Sequence, residues 1–337
     1  MKKLYSLLLI LSVIVSVFTS CNLFAPESQD ADDTVIRVAY MSGPTGMGMA
    51  KMIHDNDTEK YEFIAYADAS LATADLLTGK IDMACLPTNT AATVYNNKNS
   101  AIQVLALNCL NSLFLMTKTG TTINDLSDLE GKTIYTIKNG TPAVILRYLL
   151  EQSGVNATVK TSIGEGAEEK EITAPTDLAP LLITGKIDIA LVPEPVATAA
   201  PLTIKSQNKE YNYTVAINLT EAWAEISDTP VAMGCIVANK EFVSNHTTIV
   251  KSFLEEYEAS ISYVANPQNI DDAAQYIVDA GILGAAPAAK KSLTNLGNAI
   301  TYVDGDEMKS ILVGFYNAIS VNLIGGKFPD DGFYFQK

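Results

Sequence analysis

The sequence has few of the side chains from which enzymes and metal sites are usually built. Its 337 residues include two histidines, His54 and His246, which lie far apart with no cysteine or histidine at metal-ligand spacing. The chain has no G-x-S-x-G motif, and no histidine accompanies its cysteines at a recognisable catalytic spacing. We interpret both histidines as surface residues, and we predict no catalytic residue, no metal and no cofactor.

Arginine is also scarce, because only Arg37 and Arg147 are present, and the formal net charge is −15. An acidic surface argues against nucleic acid and against an anionic membrane surface as partners. It does not exclude a small anion, since a cleft can be locally positive. With so little arginine, we expect a ligand to be held by backbone amides and hydroxyls rather than by a bidentate arginine.

The N-terminal segment is typical of an exported protein. Lys2 and Lys3 precede an apolar run, residues 4–18, that has signal-peptide length and is short for a membrane span. Small residues then precede Cys21, an order that resembles the lipobox of bacterial lipoproteins, although Phe18 stands where leucine is usual. We therefore predict a signal peptide (1–20), a lipidated Cys21 and a flexible tether (21–33). A secretory signal with a chance cysteine, or an uncleaved anchor, is the alternative.

The three cysteines after Cys21 each lie in an apolar stretch. Cys85, Cys109 and Cys235 have a spacing that fits no zinc site, and three thiols cannot all pair within one chain. Buried structural thiols are the expectation. A disulfide between Cys109 and Cys235 stays open for an exported chain.

An internal repeat indicates two similar halves. The stretch "LLTGKIDMACLPTNTAATVY" (76–95) is echoed by "LITGKIDIALVPEPVATAAP" (182–201). In each copy a helix end, a Thr-Gly turn, a short apolar strand, a proline and a new helix follow one another.

Alternating strand and helix patterns predict an α/β fold of two lobes, each a parallel sheet flanked by helices, joined by two crossover segments. We assign residues 34–110 and 228–337 to lobe 1 and residues 111–227 to lobe 2. The first crossover is predicted near residues 108–118. The pattern after Val243 is helical.

The chain resembles bacterial type II solute-binding proteins of the nitrate, sulfonate and taurine group, the extracytoplasmic receptors of ABC importers. The resemblance covers residues 34–327 and rests on Cys21, the paired "TGKID" turns, "EPVATAA" after the second turn and "DLEGKTI" before it. It implies the two-lobed type II periplasmic-binding-protein fold and a small organic or anionic ligand held between the lobes. It further implies a lipid-anchored monomer outside the cytoplasm that delivers its ligand to a permease and ATPase.

The loop "MSGPTGMGMAKMI" after the first strand is the first candidate ligand contact. It lacks the ending of a P-loop and the spacing of a dinucleotide fingerprint. Ligands of open α/β sheets lie beyond the carboxyl ends of strands, near helix N-termini, where glycine lets amides approach closely. The loop contributes five predicted site residues, with a tight turn and core packing of the methionine as the alternative: Ser42, Gly43, Thr45, Gly46 and Met47. Tyr40, at the end of the first strand, is a further aromatic candidate, with buried packing as the alternative.

Three further helix starts and one aromatic residue complete the predicted site. After the first repeat strand come Thr88, Asn89 and Thr90, which could also be capping residues only. Lobe 2 offers Gly140 and Thr141, whose amides would attract an anion. Glu194 replaces Thr88 in the second repeat and either faces the ligand or caps its own helix. Trp223, near the return crossover, could stack on a flat ligand or be buried.

Two other functions remain open at this point. A sensor or adaptor lipoprotein would present its ligand-bound lobe to a membrane receptor instead of a permease. A cofactor-precursor synthase could use the same fold, because fold does not determine function, although the export signal argues against it. The identity of the ligand is not determined by the sequence.

Overall fold

Strands and helices alternate through most of the chain in this computed structural model, which describes residues 35–56, 60–138 and 140–337. The part from Val35 to Lys337 forms one compact unit. The predicted signal peptide (1–20), the lipidation residue Cys21 and the tether (21–33) lie outside the described residues.

The strands and helices have the following bounds. The strands are β1 (Ile36–Met41), β2 (Tyr61–Tyr66), β3 (Met83–Pro87), β4 (Ile102–Leu110), β5 (Phe114–Lys118), β6 (Thr133–Tyr135), β7 (Thr158–Lys160), β8 (Ser162–Ile163), β9 (Lys170–Glu171), β10 (Ile189–Val192), β11 (Tyr213–Asn218), β12 (Ala232–Asn239) and β13 (Ile300–Val303). The helices are α1 (Pro44–Met47), α2 (Ala50–His54), α3 (Ala69–Leu77), α4 (Thr88–Asn97), α5 (Thr141–Ser153), α6 (Pro175–Ile183), α7 (Val196–Ser206), α8 (Leu219–Ala224), α9 (Lys240–Asn245), α10 (Thr247–Ala265), α11 (Ile270–Asp279), α12 (Ala286–Leu296) and α13 (Gly305–Ala318).

The first sheet has the strand order β13-β4-β12-β3-β1-β2. Strands β1, β2 and β3 are parallel, as predicted. The prediction of a wholly parallel sheet is wrong, because β12 is antiparallel to both β3 and β4, and β13 is antiparallel to β4. Strand β12 enters the sheet from the second lobe rather than through a crossover helix on the same sheet, so the direction rule for βαβ units does not apply to it.

The second sheet has the order β11-β5-β10-β6-β7 and is also mixed. Strands β6, β7 and β10 are parallel, whereas β5 runs antiparallel between β10 and β11. The prediction that residues 114–118 belong to the crossover is wrong, because these residues form β5 within the second sheet. Strand β5 is held by hydrogen bonds to β10 and β11, which lie far along the chain. The sequence pattern of the segment itself does not reveal such distant partners.

Strand β13 was also missed, because the whole segment after Val243 was predicted to be helical. Its four residues pair with β4 at the edge of the first sheet. A run of four is too short for its period to be recognised between long helices.

The chain passes between the sheets after Leu110 and again after Asn218. Below, lobe 1 denotes residues 35–110 and 228–337, and lobe 2 denotes residues 111–227. The largest apolar cluster is continuous across both crossings and includes Leu107 of lobe 1 and Leu149 of lobe 2. Separate clusters fill the rest of each lobe. Among the described residues, no helix combines the length and apolar character needed to cross a bilayer.

The two repeat copies fold alike. Gly79 and Gly185 both follow a helix end in the left-handed conformation, with φ of 71° and 67°, which glycine adopts without steric cost. The aspartate three residues later binds a basic residue in each copy. Asp82 pairs with Arg37, and Asp188 lies 3.6 Å from Lys118.

Replacing the first repeat aspartate, Asp82→Asn, should lower the free energy of unfolding by about 1.5–3 kcal/mol. Asp82 is 7% exposed and accepts hydrogen bonds from Arg37 N (2.8 Å), Nε (3.0 Å) and Nη2 (2.7 Å). The matched variant Asp188→Asn should cost at most about 0.5 kcal/mol, because its pair is long and solvent-exposed. Urea unfolding of both variants measures the difference, and equal losses would contradict the structural role assigned to Asp82.

Candidate functional site

A cavity of about 590 Å³ lies between the lobes and is lined from both. Its walls follow the carboxyl ends of the parallel strands: Ser42 after β1, Asp68 after β2, Ile137 after β6 and Pro193 after β10. This is the edge of an open α/β sheet at which ligands bind. The starts of helices α1, α3, α4, α5, α6 and α7 also reach the cavity.

Six of the predicted site residues line this cleft. Lobe 1 contributes Ser42, Thr45 and Thr90, and lobe 2 contributes Gly140, Thr141 and Glu194. The repeat therefore brings two corresponding helix starts, those of α4 and α7, to the same cavity. That these residues contact a ligand stays a prediction.

Four further predicted residues, one in β1 and three in the opening loop, are not among those that line the cavity. Gly43 accepts hydrogen bonds from Gly46 N and Met47 N through its carbonyl, both at 3.0 Å. A Cβ on Gly46 would lie 2.0 Å from the carbonyl oxygen of Met41, so only glycine fits there. Met47 is fully buried in the lobe 1 core, and Tyr40 donates its hydroxyl to Ala280 O at 2.7 Å.

The remaining predicted residues are also withdrawn from the cavity wall. Thr88 is buried and donates to Ala232 O, and Asn89 accepts a hydrogen bond from Thr141 Oγ1 at 3.1 Å. Trp223 is 1% exposed and packs between Tyr148 of lobe 2 and Phe315 of lobe 1, with ring centroids at 5.5 and 6.0 Å. The expectation that Trp223 faces the cleft is corrected: the crossover segment carries it into the apolar contact between the lobes.

Several lining residues were not predicted. Asp68 and Ser112 follow strands β2 and β4, so the rule that ligands bind beyond strand ends could have identified them. Met233 and Ile282 could not have been identified in this way, because only tertiary folding brings them to the cavity.

Ser112 is the most informative of these unpredicted residues. It is fully buried and lines the cleft, and its hydroxyl has no hydrogen-bond partner within the described protein. A buried hydroxyl without a partner costs free energy, and rotation about χ1 moves a serine hydroxyl between three staggered positions. We expect a ligand atom to supply the missing partner.

Replacing this serine, Ser112→Ala, should raise the free energy of unfolding of the unliganded protein by about 1 kcal/mol, because an unsatisfied group is removed. Affinity for the ligand should fall about fivefold to tenfold, because one hydrogen bond is lost. Thr220 has an equally unpartnered buried hydroxyl that does not line the cleft, so Thr220→Val should stabilise the protein without changing affinity. Urea unfolding and ligand titration of both variants check this, and unchanged affinity in the serine variant would exclude Ser112 from the site.

Four charged side chains face the cleft. Lys138 forms an ion pair with Glu171, and Asp68 and Glu194 are the other two. Neither arginine lines it, and Arg37 is engaged with Asp82. The cleft therefore has no uncompensated cation among the described residues.

Glu194 connects the two lobes. It is 1% exposed and accepts hydrogen bonds from Ser292 Oγ (3.1 Å) and Asn295 Nδ2 (3.0 Å) of helix α12 in lobe 1, and from Thr198 Oγ1 (2.8 Å) of lobe 2. We call Glu194, Thr198, Ser292 and Asn295 the interlobe latch. Burial raises the pKa of Glu194, and the hydrogen bonds from Asn295, Thr198 and Ser292 oppose that rise. The lobes are thus held together by a carboxylate that is costly to keep ionised.

The thiols are free and buried. Cys85, Cys109 and Cys235 form no disulfide, so the Cys109–Cys235 pairing left open above does not occur. Burial raises the pKa of Cys85 and of Cys109 to about 12. His54 is exposed and stacks on Tyr276, whereas His246 is half-buried rather than a surface residue. No group of three His, Cys, Asp or Glu side chains in the described ranges is arranged to hold a metal ion.

The two mixed sheets with an interlobe cavity define the type II periplasmic-binding-protein fold. An ABC transporter protein from Parabacteroides distasonis superposes with a TM-score of 0.71 at 21% identity, over 90% of this chain and 100% of that one. The periplasmic aliphatic sulphonate-binding protein from Escherichia coli gives 0.67 at 14% identity, over 90% and 92% of the two chains. The periplasmic nitrate-binding protein from Synechocystis gives 0.59 at 14% identity, over 82% and 74%.

The family model described as NMT1/THI5 like matches residues 60–270. The chain belongs to the NMT1/THI5-like family. No curated protein matches it.

Proposed function

We propose that this protein is the substrate-binding component of an ABC importer, which captures a small organic solute between its lobes and delivers it to a permease. The observation that carries the proposal is the interlobe cavity of about 590 Å³, large enough for a small organic molecule and lined by helix starts from both lobes. Structural neighbours include proteins named for binding sulphonate and nitrate, which agrees with a binding role.

Ligand capture would use closure of the lobes. The contacts that cross the cleft, Thr141 with Asn89 and Glu194 with Ser292 and Asn295, can form only when the lobes are together. A ligand that touches both lobes binds the closed state better and shifts the population towards it.

We further propose that Cys21 carries a lipid anchor and that the protein acts as a monomer outside the cytoplasm, on the cell membrane or, in a cell with two membranes, within the periplasm. The permease and its ATPase would be its partners. The sequence supports this through the apolar run and the small residues before Cys21. Mass spectrometry of the intact protein from native membranes tests it, because lipidation adds acyl chains to an N-terminal Cys21.

Binding without catalysis is the function that the cleft chemistry favours. Cys109 is the cysteine that lines the cavity, and its raised pKa of about 12 keeps the thiol protonated and weakly nucleophilic. Neither histidine reaches the cavity. A cofactor-precursor synthase remains the alternative in the enzyme class, and a product formed from the bound molecule during incubation would favour it.

The experiment that tests the proposed function starts from the protein purified under native conditions. Native mass spectrometry should detect a bound small molecule, and that molecule should protect the protein against thermal unfolding. Uptake into vesicles carrying the permease and ATPase encoded beside its gene should then depend on this protein. Binding without uptake would support a sensor or adaptor instead, and the absence of any bound molecule would contradict the proposal.

A further inference from the structure

Some helix N-termini at the cleft have an acidic side chain beside them, and others do not. A helix N-terminus carries about half a positive charge and is a ready site for an anion. Among the described residues, helices α1, α3, α4, α5, α6 and α7 begin at this cleft, and three of these six have an acidic side chain of the protein in or beside the first turn. For each of them, a carboxylate of the chain already lies at the positive end of the helix dipole.

The three acidic caps lie on both lobes. Asp68 accepts a hydrogen bond from Ser70 N at the start of α3 at 2.5 Å. Asp177, in the first turn of α6, accepts from Thr173 N (2.9 Å) and Ala174 N (3.1 Å). Glu194 accepts from Thr198 N at 3.3 Å at the start of α7.

Two of the other three helix starts, those of α4 and α5, face each other across the cleft. Helix α4 of lobe 1 and helix α5 of lobe 2 have no acidic residue in the first turn and no side-chain cap. They are linked by the hydrogen bond from Thr141 to Asn89. The backbone N–H groups at these two helix starts could donate hydrogen bonds to one polar oxygen of a ligand. The hydroxyl of Ser112, which has no partner among the described residues, lies in the same cavity wall.

The rest of the wall does not favour an anion. The charge of Lys138 is balanced by its ion pair with Glu171. Among the described residues, Asp68 accepts a hydrogen bond through Oδ1 alone, so Oδ2 of Asp68 is available as an acceptor. Much of the remaining lining is apolar, with Met41, Ile137 and Met233 among it. A charged oxyanion would meet the carboxylate of Asp68, which forms no ion pair among the described residues, whereas a donor group would find an acceptor there.

We propose that the cleft takes an organic ligand with an apolar body and an uncharged or positively charged, hydrogen-bond-donating head, and that it disfavours oxyanions. This inference rests on the proposed function, because it names the chemical class of the solute. Asp68 is the residue to which the donor head would bind. Such a ligand would differ in charge from the nitrate and sulphonate to which the names of two structural neighbours refer.

The test compares three probes of similar shape and different charge: benzamidine, benzamide and benzoate. Full-length protein labelled at its methionine methyl groups is titrated and observed by NMR, because Met41 and Met233 line the cleft and report its occupancy. We expect benzamidine to bind best, benzamide next and benzoate least. Tighter binding of benzoate than of benzamidine would overturn the inference and leave the proposed function intact.

Two variants assign the preference to a residue. Asp68→Asn should weaken benzamidine about tenfold, as expected for loss of one charge-assisted hydrogen bond. It should weaken benzamide less, because the asparagine oxygen still accepts a hydrogen bond from a neutral amide. Asp75→Asn removes a carboxylate from the same helix outside the cleft and should change neither probe. Equal effects of the two variants on benzamidine would overturn the role of Asp68. If no probe of any charge shifts Met41 or Met233, the cleft is not a ligand site and the proposed function fails as well.

Discussion

Replacing the single tryptophan, Trp223→Ala, should lower the free energy of unfolding by about 3–5 kcal/mol, the range for truncating a buried tryptophan. The side chain is 1% exposed, and its Nε1 donates to Thr229 O at 2.6 Å. It also joins Tyr148 of lobe 2 to Phe315 of lobe 1, so the loss should loosen the lobes relative to each other. Urea unfolding followed by circular dichroism measures the effect without relying on tryptophan fluorescence.

A matched control lies on the helix that carries Phe315. Val313 is 40% exposed, and Val313→Ala should change stability by no more than about 0.5 kcal/mol. The conservative variant Trp223→Phe should fall between the two. If Trp223→Ala lowered the free energy of unfolding by less than about 1 kcal/mol, the position of Trp223 in the core would be contradicted, and Trp223 would again be a candidate ligand contact.

Disrupting the interlobe latch with Glu194→Ala should shift the protein towards the open arrangement by about 2–3 kcal/mol. Two cross-lobe hydrogen bonds are lost, and the donors of Ser292 and Asn295 are left without the carboxylate. The variant also removes the cost of burying the charge of Glu194, and this gain offsets part of the loss. The expected effect is therefore smaller than the summed free energies of the lost hydrogen bonds. Each 1.4 kcal/mol changes the ratio of closed to open molecules tenfold.

Small-angle X-ray scattering of the unliganded protein measures that shift, since opening raises the radius of gyration. Ser244→Ala is a suitable control, because Ser244 is exposed and its hydroxyl donates to Lys240 O within the same helix, α9. An unchanged radius for Glu194→Ala would show that other contacts hold the lobes together.

The latch also predicts a pH dependence with a definite sign. Burial raises the pKa of Glu194 in the closed arrangement, so closing the lobes favours the protonated form. The contribution of Glu194 to closure should therefore be complete below the ordinary glutamate pKa of about 4.3 and should be lost as the pH rises through the raised pKa. Glu194→Gln should remove this dependence. Scattering across this range distinguishes the two, and a closure that strengthens with rising pH in the wild type would contradict the assignment.

Much of the fold was predictable, because turn residues and the alternation of apolar and polar residues indicate it locally. The "TGKID" repeat identified two halves, and both turn glycines have the left-handed conformation that the pattern predicts. Alternating runs located β1, β2 and β3 to within a residue or two. Strands β5 and β13 were missed because short segments become strands only through hydrogen bonds to distant partners.

The site divides in the same way. Two lobes, a cleft beside strand ends and helix starts, and a shortage of arginine for a ligand can all be predicted from residue type and from neighbours within a few positions. Three other features follow from tertiary contacts. Trp223 joins the lobes from within the core, Glu194 binds Ser292 and Asn295, and Ser112 has no partner among the described residues. Each of these features depends on contacts between distant segments, which form when the second crossover returns the chain to lobe 1. Spacing along the sequence does not indicate which distant segments come into contact.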